Sequence, residues 1–307
     1  MKFMITGSRG FVGAATKDYL DHIVQKGNSH PCQALDYDLM DGLDIRDANQ
    51  LKEFAKCHRP DRILHLAAIA RFADADKDPL LAWQTNVLGT QNVVDVAARY
   101  HIPLVYASTG SAIMPLDEFE PPYKEFLPAR GNSVYGCSKA LGECIVRQHT
   151  PHIILRYAHL YGAEKRHHGL IGGFLDRIGR GLQPRLFGGR QSNDFVYIKD
   201  VARINYLALA SSWDRWNQTF NVGSGQELST EQAGEIICRV AGYTGAIERL
   251  PARTVDPGRF IFDTGKAAEW LGFEAEFDFE SGLADMMGKA EKAGQGMTVN
   301  VEAFMRG

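Results

Sequence analysis

The 307-residue sequence predicts an α/β fold in which helices cover both faces of a parallel sheet, and three observations carry this prediction. Apolar, strand-like runs alternate with amphipathic helical runs through the first half of the chain. The first of these strands leads directly into glycines at positions 7, 10 and 13. Asp36 ends the next apolar stretch, at the distance expected between such a glycine loop and an acidic partner. Together these features indicate a doubly wound Rossmann domain.

The first half of the chain supplies this alternation element by element. Strands are expected over residues 2–6, 33–35, 62–66, 104–107 and 152–156, and helices over 11–23, 48–57, 81–98 and 135–147. The 81–98 helix begins near Pro79 and places Leu81, Val87 and Val94 among polar residues, as is typical of a helix that covers a sheet. We also expect this helix to form the surface of a homodimer.

The second half changes in character after Arg156. Glycines and basic residues punctuate residues 162–189, which predicts a loop-rich stretch that faces a substrate. Strands are expected again over 194–198 and 219–222, and a helix over 230–241. We therefore assign residues 1–160 to the Rossmann domain, rejoined by about 194–222, and residues 161–193 and 223–307 to a smaller, interleaved substrate-binding lobe. Residues 288–307 are expected to be a weakly specified tail.

Composition argues against several classes of partner. The 34 basic and 37 acidic residues are spread along the chain and give a formal net charge of −3, so neither a nucleic-acid nor an anionic-membrane surface is expected. Five cysteines show no metal-binding spacing, so we expect no metal site and a reducing compartment. The first apolar run stops at Gly7, and no stretch approaches the length of a membrane span. We expect a cytoplasmic protein without a signal peptide.

The glycine loop has a specific physical use in a dinucleotide site. Gly7 permits a tight turn from strand to helix, and Gly10 lets the backbone approach a pyrophosphate without an intervening Cβ. Gly13 lets the helix pack closely on its strand. The pyrophosphate then lies at the helix N-terminus. A purely structural turn is the alternative, because glycines are frequent in this chain.

Asp36 supplies the matching contact with an adenosine ribose. A carboxylate at that place accepts hydrogen bonds from the 2′- and 3′-hydroxyls and repels a 2′-phosphate. No Arg or Lys occurs between Lys26 and Arg46 to offset this repulsion, so the sequence favours NAD over NADP. A turn aspartate is the alternative interpretation.

Tyr135 and Lys139 are the candidate catalytic pair. Their four-residue spacing places a phenol and an ammonium on one helical face. The pair follows the fourth expected Rossmann strand and a loop that begins Ser108-Thr109-Gly110-Ser111, so the Thr109 hydroxyl can face the phenol. A sugar hydroxyl that loses a hydride must also lose its proton, and a phenol needs a pKa roughly 3 units below its usual value to take it near pH 7. A surface helix pair beside a hydroxyl-rich loop is the alternative.

These motifs together resemble the extended short-chain dehydrogenase/reductase family, in particular the NAD-dependent epimerase/dehydratase enzymes that act on nucleotide sugars. The resemblance covers nearly the full length of the chain. The matching segments are Thr6-Gly7-Ser8-Arg9-Gly10-Phe11-Val12-Gly13, Asp44-Ile45-Arg46-Asp47, His65-Leu66-Ala67-Ala68, Asn86-Val87-Leu88-Gly89-Thr90, the Tyr135/Lys139 pair, Leu155-Arg156-Tyr157, Leu160-Tyr161-Gly162, 194–201 and 220–225. Their order along the chain is that of the family.

The resemblance implies a role for each of these positions. It implies that the 7–13 loop, with Arg9, Phe11 and Val12, holds the cofactor pyrophosphate, and that Asp36 holds the ribose. It implies an adenine site at Asp44 and Ile45, and a cofactor-lining wall at the residues Leu66, Ala67, Ala68 and Asn86. It further implies that Tyr135 is the base, that Lys139 is its ribose-bound partner and that Thr109 is the catalytic hydroxyl.

The sequence departs from the family pattern on the substrate side. Gly110-Ser111 stands where sugar-nucleotide 4,6-dehydratases carry an Asp-Glu pair, so dehydration lacks its acid here. Ala112-Ile113-Met114 replaces the usual Val-Tyr-Gly, His159 replaces an Asn that contacts substrate phosphate, and Asn193 replaces an Arg. Ser111, His159, Arg190 and Arg259 are candidate substrate contacts, with Arg185 and Arg253 as further candidates, although each arginine is equally explained as a solvated surface charge.

The stretch around 162–201 most resembles ADP-glyceromannoheptose 6-epimerases, which place an additional catalytic lysine before a glycine. Here His168 precedes Gly169, and its imidazole is a candidate second acid or base, with a solvated loop histidine as the alternative. The leading interpretation is an NAD-dependent nucleotide-sugar epimerase, most often a 4-epimerase in this family. A keto-sugar reductase that uses the same residues remains open, as does a non-catalytic NAD-binding protein.

Overall fold

The fold is described from a computed structural model, for residues 1–27, 32–114, 118–149, 151–163, 169–252 and 258–288. In chain order the strands are β1 (Lys2–Thr6), β2 (Gln33–Tyr37), β3 (Arg62–His65), β4 (Leu104–Thr109), β5 (His152–Tyr157), β6 (His159–Tyr161), β7 (Arg185–Phe187), β8 (Ser192–Tyr197), β9 (Gln218–Val222), β10 (Glu227–Ser229) and β11 (Glu248–Leu250). The helices are α1 (Phe11–Gln25), α2 (Ala48–His58), α3 (Phe72–Lys77), α4 (Pro79–Trp83), α5 (Thr90–Tyr100), α6 (Val134–Val146), α7 (Gly169–Gly179), α8 (Ile198–Ala210), α9 (Thr230–Ala241), α10 (Gly265–Leu271) and α11 (Phe279–Met286). A π-helical segment, Gln84–Gly89, joins α4 to α5.

A parallel sheet forms the centre of the larger half of the molecule. Within the described residues its strand order is β2-β1-β3-β4-β5-β9, and all of its pairings are parallel. The chain runs outward from β1 to β2 and then returns to the other side of β1 as β3. The order therefore reverses between β1 and β3, and ligands of open α/β sheets bind in the crevice outside the carboxyl ends of the strands at that point.

Helices cover both faces of this sheet, which confirms the doubly wound α/β fold. On one face α1 packs against α8, and apolar residues such as Leu20 and Ile204 fill the layer beneath them. On the other face α2, α5 and α6 enclose a second apolar layer that includes Leu51 and Val93. None of the helices in the described chain combines the length and the apolar character needed to cross a membrane.

Shorter sheets and helices build the smaller half. β6, β8 and β10 form one sheet, β7 pairs with β11, and α7, α9 and α11 pack beside them. The loop-rich stretch expected between residues 162 and 189 is wrong in part, because Gly169–Gly179 is a helix. Burial overrides the low helix propensity of its glycines: Phe174 and Leu175 are buried, and the Phe174 ring lies directly against Gly234 of α9.

The long elements lie where the sequence predicts them. β1 and α9 have the predicted bounds, and the predicted 81–98 helix lies within a continuous helical run from Pro79 to Tyr100. The sequence does not predict short elements such as α3, β6 and α10, because they carry too few residues for a periodic pattern. The division into two domains stays a prediction; β9 joins the large sheet, whereas β8 lies in the smaller one. The tail from residue 289 onward lies outside the described residues.

Candidate active site

The glycine loop lies at the crevice between β1 and β3. Gly7 has φ +72°, and a Cβ there would lie 2.8 Å from the Ala67 nitrogen. A Cβ on Gly13 would lie 2.3 Å from the Gly7 carbonyl oxygen. A Cβ on Gly10, by contrast, would meet one described atom, the Gly7 carbonyl oxygen at 3.1 Å. The protein's own packing therefore requires Gly7 and Gly13, whereas the bare side of Gly10 is suited to the close approach of a pyrophosphate.

The segment after β3, which includes Leu66 and Ala67, is fixed to this loop by Thr6 and His65. Thr6 Oγ1 lies 2.7 Å from His65 Nδ1 and also accepts the Ala67 N–H at 3.3 Å. The other ring nitrogen lies 3.0 Å from Thr90 Oγ1, whose own proton goes to the Asn86 carbonyl. Thr90 can therefore only accept, which assigns the proton to His65 Nε2. Burial lowers the pKa of His65 to about 3, so the ring is neutral.

Asn86, in the π-helical segment, fastens the same segment to α6. Its Oδ1 accepts the Ile69 N–H at 2.8 Å, and its Nδ2 donates to the Ile69 carbonyl at 3.0 Å and to Ser138 Oγ at 2.9 Å. These bonds use the whole amide on protein partners. The π-helical turn is therefore where the chain joins the cofactor-lining segment to the helix that carries Tyr135 and Lys139.

The end of β2 carries more charge than the sequence pattern indicates. Asp36 lies within the strand, and its Oδ2 is 2.6 Å from Lys17 Nζ of α1, while its Oδ1 is buried and has no hydrogen-bond partner among the described residues. Asp38, one residue beyond the strand, accepts the Arg9 N–H of the glycine loop at 2.9 Å. The Arg9 guanidinium forms a two-point pair with Asp41, with Nε to Oδ2 at 2.7 Å.

The sequence assigns Arg9 to the pyrophosphate loop and does not bring either cation to the ribose site, because both precede Lys26, outside the stretch in which a basic partner is expected. Asp38 is also missed, although a signal for it exists. Side chains two residues apart on a strand share a face, so Asp38 lies on the Asp36 face and nearer the glycine loop. The two cations reach the site from the loop and from α1, which only the folded chain reveals.

The predicted adenine contacts lie beyond this cluster. Ile45 is buried, and its backbone carbonyl accepts a hydrogen bond from Asn92 of α5 at 3.0 Å. The Asp44 carboxylate pairs with Arg46, and that hydrogen bond lowers the pKa of Asp44. Asp44 and Arg46 also line an open surface pocket of about 610 Å³. Ile45 therefore packs in the core, whereas Asp44 and Arg46 present polar groups to the pocket, and the adenine role of both predicted residues stays a prediction.

Thr109 and Tyr135 meet at the carboxyl end of β4. Thr109 is the last residue of β4, and Tyr135 is the second residue of α6, which begins where Ser133 Oγ accepts the Gly136 N–H at 3.1 Å. Burial raises the pKa of the Tyr135 phenol, and its hydrogen bond with Thr109 opposes that shift. The Phe72 ring stands edge-on to Tyr135 at 5.2 Å between centroids.

Lys139 lies one helical turn further along α6 and is buried. Its Nζ lies 4.1 Å from the centre of the Tyr106 ring, a cation–π contact, and no described residue accepts a hydrogen bond from it. Burial lowers the pKa of Lys139 to about 7, and the Glu143 carboxylate acts in the opposite direction. A buried ammonium without an oxygen partner among the described residues fits a site that takes a ribose hydroxyl.

A buried ion pair links the strand and the helix that carry the predicted catalytic residues. Both carboxylate oxygens of Glu143 accept from Arg156, at 2.9 and 2.8 Å, and Ser108 Oγ donates to Glu143 at 2.7 Å. Arg156 also donates to the carbonyls of Glu125 and Leu127. The pair therefore joins β4, β5 and α6 to the segment that enters the smaller half. Arg156 and Ser108 belong to segments that the sequence indicates, whereas none of those motifs includes Glu143.

His159 is the first of the candidate substrate contacts that the structure describes. It begins β6, its ring lies between those of Phe195 and Phe260, and its Nδ1 is buried without a partner among the described residues. Burial lowers the pKa of His159 to about 4, so it is neutral near pH 7. Asn193 Oδ1 is likewise buried and unpartnered within the described chain.

The remaining candidate substrate residues differ in their exposure and in whether a carboxylate already pairs with them. Arg259 forms a two-point pair with Glu227, with both distances 2.8 Å, and Arg185 pairs with Glu248 at 2.6 Å. Arg190 is exposed, and Ser111 is half-buried in the turn that follows β4. His168 and Arg253 lie outside the described residues.

The unusual Ala112-Ile113-Met114 sequence also has a structural explanation. Ile113 and Met114 are buried with Phe260 and Phe262, and both of their N–H groups bond to the Gly110 carbonyl. A Cβ on Gly110 would lie 2.6 Å from the Phe260 ring. The turn after Thr109 therefore packs onto an apolar cluster that includes part of the smaller half.

Comparison with known proteins agrees with this geometry. A sequence model described as the NAD dependent epimerase/dehydratase family matches residues 3–223. A putative UDP-glucose 4-epimerase of Methanocaldococcus jannaschii is 29% identical, over 91% of this chain and 95% of that protein.

Two solved structures are also similar. The UDP-glucose 4-epimerase of Thermotoga maritima with UDP-glucose has a TM-score of 0.82 and 28% identity, and the match covers 95% of this chain and 99% of that one. The UDP-glucose 4-epimerase of Thermus thermophilus in complex with NAD has a TM-score of 0.79 and 26% identity, over 95% and 100% of the two chains. From the matched residues, the fold and the glycine-loop crevice, the chain belongs to the NAD dependent epimerase/dehydratase family.

Proposed function

We propose that the protein is an NAD-dependent nucleotide-sugar epimerase, and most specifically a 4-epimerase. The observation that carries this proposal is the hydrogen bond between Thr109 and Tyr135 at the end of β4, with the buried Lys139 one turn further along α6. The similar epimerases named above support the nucleotide-sugar class.

The residues at the crevice suggest how NAD would be held. The backbone of residues 7–13 would cradle the pyrophosphate, and the free Oδ1 of Asp36, together with Asp38, would accept the adenosine ribose hydroxyls. Asp44 and Ile45 would flank the adenine, and the residues after β3 would line the nicotinamide side: Leu66, Ala67 and Ala68. Bound NAD supplies a hydride acceptor that can return the hydride in the same turnover.

Tyr135 takes and returns the proton of the reacting sugar hydroxyl in this proposal. Thr109 holds the same oxygen by a hydrogen bond, which aligns it with the phenol. Burial alone raises the pKa of Tyr135, so the phenolate needs positive charge nearby. Lys139 provides that charge on the adjacent turn of α6, and its pKa of about 7 leaves its protonation sensitive to what binds beside it.

The substrate contacts would come from the side on which the sequence departs from its family. Neutral His159 can give or accept one hydrogen bond through an imidazole that is unpartnered at Nδ1 among the described residues. Arg190 is exposed and is the candidate for a diphosphate, whereas the guanidinium of Arg259 is already engaged by Glu227. Ser111, directly after Gly110, is the remaining candidate near the reacting carbon. A role for His168 stays a prediction.

The proposal extends to a homodimer. Leu80, Leu88 and Leu141 are 67%, 59% and 44% exposed, and they lie on α4, the π-helical segment and α6, which are neighbours in the fold. A second copy that packs on this face would bury them. All five cysteines are free, which is what a cytoplasmic location favours. Light scattering of the purified protein, compared with a Leu88→Lys variant, tests the dimer.

One experiment tests the proposed activity. Protein purified without added cofactor is denatured, and the released nucleotide is identified by mass spectrometry; intact protein is then assayed with a panel of UDP- and dTDP-sugars. Epimerisation with near-stoichiometric retained NAD supports the proposal. Turnover only with added NADH or NADPH and a keto-sugar would replace it by a reductase. Tyr135→Phe should abolish turnover, with Tyr243→Phe, a remote tyrosine bonded to the Ala246 carbonyl, as the matched control.

A further inference from the structure

Charged side chains of both signs meet at the place where an adenosine ribose is expected. Arg9 in the glycine loop and Lys17 on α1 face three carboxylates, those of Asp36, Asp38 and Asp41. Arg9 Nε lies 2.7 Å from Asp41 Oδ2, and a second guanidinium nitrogen binds Asp41 Oδ1. The Arg9 side chain is 49% exposed, so this pair lies at the open rim of the crevice.

The backbone of Arg9 is bonded to the end of β2. The Arg9 N–H binds Asp38 Oδ2 at 2.9 Å, so the loop that would cradle the pyrophosphate is tied directly to the end of β2. In Rossmann domains the ribose lies over that end, and a 2′-phosphate is accepted where an arginine stands nearby. Arg9 has the planar fork that suits a phosphate, but its fork is engaged by Asp41.

We propose that Asp41 is a specificity-determining residue that holds Arg9 away from the ribose 2′ position and thereby makes the site selective for NAD over NADP. With Asp41 in place, three carboxylates face two cations, and a phosphate dianion meets net negative charge. Without the Asp41 carboxylate the charges balance, and Arg9 becomes available to a 2′-phosphate. The inference rests on NAD binding by this family and is independent of which sugar reaction follows.

A competition experiment measures the preference for NAD over NADP directly. Purified full-length protein is incubated with equal concentrations of NAD and NADP until the bound ratio is constant, filtered, denatured and analysed for retained nucleotides by mass spectrometry. For Asp41→Asn we expect the retained NADP-to-NAD ratio to rise about tenfold or more over the wild type, since one repulsive charge is lost and one arginine gained. The rise should shrink at high ionic strength, because the pair is exposed.

Two further variants keep the proposal falsifiable. The double variant Arg9→Ala/Asp41→Asn should return the ratio to near the wild-type value, because the phosphate partner is gone. Glu280→Gln, which breaks a similar two-point pair with Arg239 in the smaller half, should leave the ratio unchanged. An unchanged ratio in Asp41→Asn, or an equal rise with and without Arg9, would overturn the proposal. Asp41→Ser replaces Asp41→Asn if the latter fails to fold, as judged by circular dichroism.

Discussion

The two proposed sides of the crevice differ in which polar groups the protein itself hydrogen-bonds. On the cofactor side, both ring nitrogens of His65 and the whole Asn86 amide are hydrogen-bonded to protein. On the substrate side, His159 Nδ1 and Asn193 Oδ1 are buried without partners among the described residues. The wall after β3 on the proposed cofactor side is therefore fixed by the fold, and an unpartnered atom of the described chain on that side is Asp36 Oδ1, at the predicted ribose position. On the proposed substrate side, the unpartnered atoms include those of His159 and Asn193.

The strongest test breaks the buried ion pair of Glu143 and Arg156, which links α6 and β5 to Ser108 of β4. Glu143→Gln leaves Arg156 charged and only 1% exposed, so we expect a loss of about 3–5 kcal/mol in the free energy of unfolding. The exposed pair of Arg239 and Glu280 is the control, and Glu280→Gln should cost less than about 1 kcal/mol. Urea denaturation measures both losses, and equal small losses would show that the buried pair does not stabilise the fold more than an exposed pair does.

The next test separates packing from ligand binding within the glycine loop. A Cβ on Gly13 would lie 2.3 Å from the Gly7 oxygen, so Gly13→Ala should destabilise the fold by about 1–3 kcal/mol. Gly10 has φ −73°, which alanine adopts readily, and its Cβ would lie 3.1 Å from the Gly7 oxygen, so Gly10→Ala should destabilise the fold less than Gly13→Ala does.

The loss of NAD affinity should be larger in Gly10→Ala than in Gly13→Ala. Gly10→Ala places a methyl group where the pyrophosphate approaches, so we expect about tenfold or greater weakening of NAD binding by titration calorimetry. Strong NAD binding by Gly10→Ala would show that Gly10 has only a structural role.

Acid should lower the stability of the protein, because each side of the crevice contains a buried, neutral histidine. The pKa values of His65 and His159 are lowered to about 3 and about 4, below the value near 6.5 of an unfolded chain. The unfolded state therefore binds more protons, and stability is lost as pH falls from about 6.5 towards 4.

Each such histidine contributes a slope of up to about 1.4 kcal/mol per pH unit. Denaturation at pH values between 7 and 4.5 measures that slope. His159→Asn should remove about one proton from the difference in protons bound by the unfolded and folded states, and the slope should fall accordingly. A slope unchanged by the substitution would mean that His159 is charged or solvated in the fold.

The smallest expected effect is the most selective for the substrate side. His159→Asn should change the KM for the nucleotide sugar by less than about tenfold, since one hydrogen bond is exchanged for another. The affinity for NAD should stay the same, because His159 packs on Phe195 and Phe260 and contacts none of the residues assigned to the cofactor. A selective loss of NAD affinity would contradict the division of the crevice.

The same division explains what the sequence could predict. β1, α1 and the Tyr135/Lys139 spacing depend on local periodicity and on glycine geometry, so the fold and the cofactor loop follow from motifs. Asp38 and the pairing of Arg9 with Asp41 depend on how the loop meets the end of β2, which no local pattern encodes. Likewise, α7 is glycine-rich and is helical because Phe174 and Leu175 are buried. Side-chain contacts between distant segments are the part that required the structure.

The most direct test of redox-neutral epimerisation labels the hydride with deuterium. The protein is supplied with a nucleotide sugar that carries deuterium at C4, a trace of NAD and no other oxidant, and the epimerised product is analysed by mass spectrometry. A redox-neutral epimerase returns the same hydride, so the account predicts full retention of deuterium without net NADH formation. Deuterium lost to solvent, or accumulation of NADH with a keto-sugar, would contradict it.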